Sequence, residues 1–225
     1  MIEIQKASHR FGETEVLSDI DLSLAERRIG IVGANGSGKS TFVRLLNGLV
    51  IPASGSVLVD GLDTRRDGRA IRRRVGFVFQ NPDHQIVYPL VEEDLAFGLR
   101  NLGLRGAALE ERVTQALERF GLAPLRKRSA HLLSGGEKQL LALAGVLAME
   151  PSTVVLDEPT TLLDLRNKRR IANALASLDQ QVIMVTHDLD LLAGFDRVIV
   201  FEAGRIVADG APADGVARYL ALMEA

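Results

Sequence analysis

Residues 33–41 read Gly33-Ala34-Asn35-Gly36-Ser37-Gly38-Lys39-Ser40-Thr41, and this stretch decides the fold. Gly33, Gly38, Lys39 and Ser40 complete the pattern G-x-x-x-x-G-K-[ST]. Before it, Arg28-Ile29-Gly30-Ile31-Val32 reads as a buried strand. After it, Phe42-Val43-Arg44-Leu45-Leu46-Asn47 reads as an opening helix. Strand, glycine loop and helix in that order make an anion trap. Glycines let backbone N–H groups point inward at phosphate oxygens, and the new helix adds the positive end of its dipole. Lys39 is expected to reach the β and γ phosphates of a nucleotide, and the Ser40 hydroxyl to hold Mg²⁺.

The rest of the composition narrows the class. The chain has 225 residues, 47% hydrophobic, enough for one large domain with a substantial core. A formal net charge of −2 gives no electrostatic case for nucleic acid as partner. The basic stretch Arg65–Arg74 is interrupted by Asp67 and Gly68 and reads as a solvated face. There is no cysteine, which excludes disulfides and thiolate metal sites. The N-terminal residues show no leader pattern, and no run of 18 apolar residues exists to span a bilayer.

Strands are expected at Ile2–Ile4, Val16–Leu24, Arg28–Val32, Ser56–Val59 and Val75–Phe79, with a turn at Gly12. Residues 91–128 change to helical spacing, with Val91, Leu95, Leu99 and Leu102 on one face and Val113, Leu117 and Phe120 on another. Leu140, Leu143 and Leu147 mark a further helix ending before Pro151. Strands resume at Thr153–Asp157, Gln181–Thr186, Arg197–Phe201 and Arg205–Ala208. A last helix runs from Pro212 to Met223, with Val216, Tyr219, Leu220 and Met223 at apolar spacing.

Two more segments carry chemistry. Val154-Val155-Leu156-Asp157-Glu158 is an apolar strand ending in two carboxylates. In a parallel sheet strand ends gather at the ligand edge, so Asp157 is placed to bind Mg²⁺ and Glu158 to polarise an attacking water. Leu133-Ser134-Gly135-Gly136-Glu137-Lys138-Gln139 contains the helix capping box S-x-x-E. A capped helix start with two glycines is also an exposed anion site, and a second phosphate site in one chain suggests a partner's nucleotide.

Taken with Gln80 after a strand, Thr161-Leu162-Leu163-Asp164, and His187 after a strand, these motifs resemble ABC-type ATPases over nearly the whole chain. The resemblance implies an α/β P-loop NTPase fold with a RecA-like core sheet, an N-terminal antiparallel β-subdomain and a helical subdomain at about 81–150, all within one nucleotide-binding domain of residues 1–225. It implies ATP and Mg²⁺ as cofactors. Glu158, His187, Gln80 and Lys39 would be catalytic, Gln80 sensing Mg²⁺ and the γ-phosphate and His187 holding the γ-phosphate and water. Ser40, Gln80 and Asp157 would hold the metal. Gly33, Asn35, Gly36, Ser37, Gly38, Lys39, Ser40 and Thr41 would bind nucleotide. So would Phe11, stacking on adenine where the family usually has Tyr. Ser134, Gly135, Gly136 and Glu137 would bind the ATP of a partner cassette, identical or paired, in a head-to-tail dimer with Asp164 at its seam.

The segments Phe79-Gln80-Asn81-Pro82-Asp83-His84-Gln85 and Val91-Glu92-Glu93-Asp94-Leu95-Ala96-Phe97-Gly98 are similar to those of energy-coupling-factor importer ATPases, and the short chain resembles the biotin type most. That likeness implies a peripheral subunit on the cytoplasmic face of the cell membrane. Integral membrane subunits would dock at about Asn81–Leu102, with Ile86, Val87, Tyr88 and Leu90 as contacts. Cobalt or nickel importers and binding-protein-dependent importers are the alternatives. A soluble repair or translation ATPase of this class usually needs paired cassettes or long insertions, which 225 residues do not hold.

Overall fold

A computed structural model describes residues 1–161 and 163–224; Leu162 and Ala225 lie outside the described residues. The strands in chain order are β1 (Ile2–Phe11), β2 (Thr14–Leu24), β3 (Arg28–Gly33), β4 (Ser54–Val59), β5 (Leu62–Asp63), β6 (Val75–Val78), β7 (Thr153–Asp157), β8 (Gln181–Val185), β9 (Arg197–Glu202) and β10 (Arg205–Gly210). The helices are α1 (Lys39–Leu45), α2 (Gly68–Arg74), α3 (Val91–Asn101), α4 (Gly106–Arg119), α5 (Gly135–Ala148), α6 (Leu165–Ala176) and α7 (Pro212–Met223).

Two sheets form. The first is antiparallel in the order β2-β1-β4-β5, and the second runs β10-β9-β3-β8-β7-β6. In the second sheet β6, β7, β8, β3 and β9 are mutually parallel, and β10 closes the edge antiparallel to β9. Its central strands are continuous apolar runs because both faces are covered. Alternate residues serve the two sides: Ile29, Ile31, Val155, Ile183, Val185, Ile199 and Phe201 pack with α1 and the antiparallel sheet. Val32, Val154, Leu156, Val182, Met184, Val198 and Val200 pack with the helices of the opposite face. A mostly parallel core sheet, an antiparallel sheet and a set of helices are the parts expected from the sequence.

Parallel pairing sends β3, β6, β7 and β8 out at one edge. Gly33 ends β3, Asp157 ends β7, Gln80 follows β6 by two residues, and His187 follows β8 by two. Four segments far apart in sequence therefore meet there.

Some local expectations change. The first strand runs on to Phe11. The basic stretch is partly helical: α2 buries Ile71 alone and leaves Arg72, Arg73 and Arg74 exposed. The helix α6 was not read from sequence, since only Ile171 and Leu175 of its residues are buried. After His187 the chain forms a 3₁₀ turn, Leu189–Gly194, and the Asp188 carboxylate accepts from Lys168 at 2.8 Å. In α3, Val91, Leu95 and Leu99 are core, while Leu102, just past its end, is exposed; Pro82 is buried. In α7 the buried residues are Gly215 and Tyr219, and Leu220 and Met223 are exposed. No described helix is long and apolar enough to cross a membrane.

Candidate active site

The loop after β3 takes its shape from glycines. Gly33 and Gly38 have φ of 153° and 98°, in the half of backbone space that side chains avoid. A Cβ on Gly38 would stand 2.7 Å from the Val16 carbonyl oxygen, and one on Gly33 would stand 2.2 Å from that of Phe201. The loop is thus wrapped against β2 and β9, and α1 starts at once behind it with Gly38 at its cap. Lys39 is almost fully buried. Two of its three ammonium donors go to the carbonyls of Gly33 and Ala34, each at 2.8 Å. Burial holds the ammonium below the usual lysine range, against the opposing pull of Glu158 and Asp157.

Asp157 and Glu158 diverge because Glu158 adopts φ 51°. Strain of this kind at a non-glycine residue costs about 1–3 kcal/mol and persists where the surroundings enforce it. Asp157 turns to α1: its Oδ1 accepts from the Ser40 hydroxyl at 2.8 Å, and Arg44 stands 3.4 Å from its Oδ2. Burial pushes the Asp157 carboxyl above the ordinary aspartate range, while the Ser40 hydrogen bond and Arg44 pull it back. Glu158 turns to the other side. Its Oε2 accepts from Gln80 Nε2 and from the Thr161 hydroxyl, both at 2.9 Å. Its Oε1 lies 3.2 Å from His187 Nε2.

These groups frame a cavity of about 500 Å³ lined by Asn35, Gly36, Gly38, Lys39, Ser40, Thr41, Gln80, Glu158 and His187, together with Val16 and Thr161. Val16 and Thr161, and Arg44 behind Asp157, were missing from the sequence-based site. Thr161 lay inside a recognised motif and could have been added; nothing in the sequence points to Val16. The Ser37 hydroxyl is buried with no partner among the described residues, which fits a phosphate oxygen in the loop. No cluster of three or more His, Cys, Asp or Glu that could hold a metal occurs among the described residues. The donors on hand, one serine hydroxyl and one carboxylate beside a phosphate cradle, are the kind Mg²⁺ takes when phosphates supply further ligands.

Other expected residues lie apart. Phe11 is 57% exposed, and its ring meets that of His9 edge-to-face, at 4.7 Å between ring centres. Ser134, Gly135, Gly136 and Glu137 do not line the cavity. They open α5 with a complete capping box: Glu137 N–H donates to Ser134 Oγ at 3.3 Å, and Ser134 N–H donates to Glu137 Oε2 at 2.8 Å. The Ser134 backbone bond holds the Glu137 carboxyl below its usual range. Gly136 is small for a reason inside the chain, since a Cβ there would come 2.3 Å from Asn167 Cγ. A Cβ on Gly135 would meet nothing within 4 Å. Asp164 caps α6 by accepting from Asn167 N–H at 2.8 Å.

A family model described as "ABC transporter" matches residues 17–161. The chain is 62% identical over 97% of both sequences to an ABC transporter ATP-binding protein of Deinococcus radiodurans. It is 47% identical, again over 97% of both, to the biotin transport ATP-binding protein BioM of Rhizobium etli. Among solved structures it superposes with TM-score 0.84 on CbiO1 of Clostridium perfringens, part of the ABC transporter complex CbiONQ, at 33% identity over 99% of this chain and 93% of that one.

Proposed function

Because the chain belongs to the ABC transporter family of ATP-binding proteins, in which it is an ATPase coupled to transport, we propose that it powers an importer of the energy-coupling-factor type, with biotin as solute. The observation that carries the ATPase chemistry is the divergence of Asp157 and Glu158 around the phosphate loop. It sets a metal side, at Ser40 with Asp157 behind it, apart from a water side at Glu158. Gly33 to Thr41 would hold the phosphates. Ser40, Asp157 and the Gln80 amide would hold Mg²⁺, which neutralises charge on the phosphates when bound. Glu158 would accept the proton of the attacking water, and Gln80, Thr161 and His187 keep its carboxylate aimed. Likeness to BioM favours biotin; the CbiO1 superposition keeps cobalt as the competing solute.

The chain works as a dimer in this reading. The start of α5 lies outside its own cavity, and Gly135 gives up helix propensity though a Cβ there would meet nothing within 4 Å among the described residues. A bare, capped helix start suits close approach to the ATP of a second cassette.

The membrane subunits would seat on a groove of about 430 Å³ that includes Leu49, Phe77, Phe79, Val87, Phe97 and Met149. Helices α3, α4 and α5 pack on one another, and we take residues 81–150 as the helical subdomain. The loop after Gln80 is fastened to α5. Gln85 accepts from Phe79 N–H at 3.2 Å and donates to the Ala142 carbonyl at 3.0 Å; Gln139 donates to the Phe79 carbonyl at 3.2 Å. Lys138 pairs with Asp83 at 2.7 Å. A shift of Gln80 on loss of the γ-phosphate would thus be felt at the groove.

The test is purification from the native membrane followed by uptake in vesicles. Parent protein is expected to carry integral subunits and to drive ATP-dependent biotin uptake. Glu158→Gln is expected to bind ATP, accumulate an ATP-bound dimer, and hydrolyse roughly 10²-fold more slowly. Cobalt uptake without biotin uptake would reassign the solute. Parental turnover by Glu158→Gln would reject Glu158 as the base.

A further inference from the structure

We propose that Tyr219, on α7, is a positioning residue for hydrolysis: its hydroxyl fixes the tautomer and the plane of the His187 ring. This rests on the reading of His187 as a contact to the γ-phosphate.

Both ring nitrogens are engaged. Nε2 lies 3.2 Å from Glu158 Oε1, and Nδ1 lies 3.3 Å from Tyr219 Oη. A carboxylate oxygen only accepts, so in the neutral ring Nε2 carries the proton. Nδ1 is then the acceptor, and the Tyr219 O–H donates to it. A γ-phosphate oxygen is likewise an acceptor, so the same tautomer presents an N–H to phosphate. With no donor at Nδ1 the ring is free to move its proton there, and a bare lone pair on Nε2 would face negative oxygens.

The backbone around His187 is already tied. Asp188 N–H donates to Thr186 Oγ1 at 2.9 Å, and the Asp188 side chain receives Lys168. Rotation of the imidazole is the freedom left, and Tyr219 removes it. Tyr219 reaches this point because α7 lies unusually close to β9: a Cβ on Gly215 would stand 2.7 Å from Val198 Cγ1. Tyr219 is four residues on, on the same face of the helix. The residue is 8% exposed and packs in the core, a task Phe would do equally well. The hydroxyl is what the packing leaves unexplained, and His187 is its partner.

The experiment uses the full chain with ATP and Mg²⁺, and compares parent, Tyr219→Phe, His187→Ala and the double variant. Nitrogen-15 spectra of the histidine side chains should show the Nε2–H tautomer at His187 in the parent and a gain of the Nδ1–H form in Tyr219→Phe. The loss of one hydrogen bond should lower kcat about two- to tenfold, with KM for ATP within about twofold. The Tyr219→Phe effect should vanish when His187 is already Ala. An unchanged His187 spectrum, or an unchanged kcat beside a slowed His187→Ala, overturns the assignment. Parental hydrolysis by His187→Ala instead rejects the role of His187 itself, and the spectra still decide the contact.

Discussion

A lysine buried among carbonyls and opposite two carboxylates is costly unless phosphate completes its surroundings. Lys39→Ala should therefore leave the chain folded while removing the main cation at the β and γ phosphates. Nucleotide titration should show weakened binding, and ATP hydrolysis should fall to background. Near-normal turnover in a clean preparation would overturn the assignment of the loop. At this scale most residues that gather at the candidate site were legible, because loop, strand-end carboxylates and Ser40 follow a fixed spacing tied to phosphate chemistry. What escaped depends on tertiary turns. The φ of 51° at Glu158 sends its carboxylate toward Thr161, and the seat of Gly215 on Val198 brings Tyr219 to His187. Neither can be read from local pattern.

Among elements, α3 and the loop before it show how one carboxylate can set a surface. Asp94 Oδ1 accepts from the N–H groups of Val87 and Tyr88, at 2.8 and 3.0 Å. Burial still pushes its carboxyl above the ordinary aspartate range, against the pull of those two bonds. The native state therefore holds the Asp94 proton more tightly than the unfolded chain, whose value is 3.8. As pH rises from there through the folded value, ionisation costs stability, and the cost remains at neutral pH. Asp94→Asn keeps the side-chain oxygen as acceptor and removes the charge. Urea denaturation across pH should find this variant more stable at pH 7, with the difference shrinking as pH falls through that window. Asp94→Ala, which orphans both N–H groups, should instead lose about 1–3 kcal/mol. Equal stability of parent and Asn variant at every pH would mean the charge is well solvated. Long, periodic elements such as α5 and α7 were plain in the sequence. The helices α2 and α6 were not, since one or two buried residues leave no stripe to detect. For α6 the cap at Asp164 was the available signal.

For the whole molecule, the patch that matters is assembled from distant segments. The sequence pointed to Val87 and Tyr88, and these are 68% and 36% exposed. It could not supply Leu49 from beyond α1, Phe77 and Phe79 from around β6, or Met149 from the end of α5, which the fold brings into the same groove. Tyr88 leans on Phe97, their ring centres 5.3 Å apart, and Phe97 is itself 38% exposed. Apolar side chains gathered on a surface mark a place for a partner, and here the loop beneath them is hydrogen-bonded to α5 and to the residue before Gln80. Val87→Asp and Phe97→Asp place a charge where a membrane subunit would bury an apolar helix. Because both side chains already face solvent, the variants should fold, bind ATP and hydrolyse it at rates near the parent's. Recovery of the membrane subunits with them should collapse, and uptake should stop. Parental recovery and uptake in both variants would place docking on another face, and loss of ATP binding would show that the groove shapes the nucleotide site rather than receiving a partner.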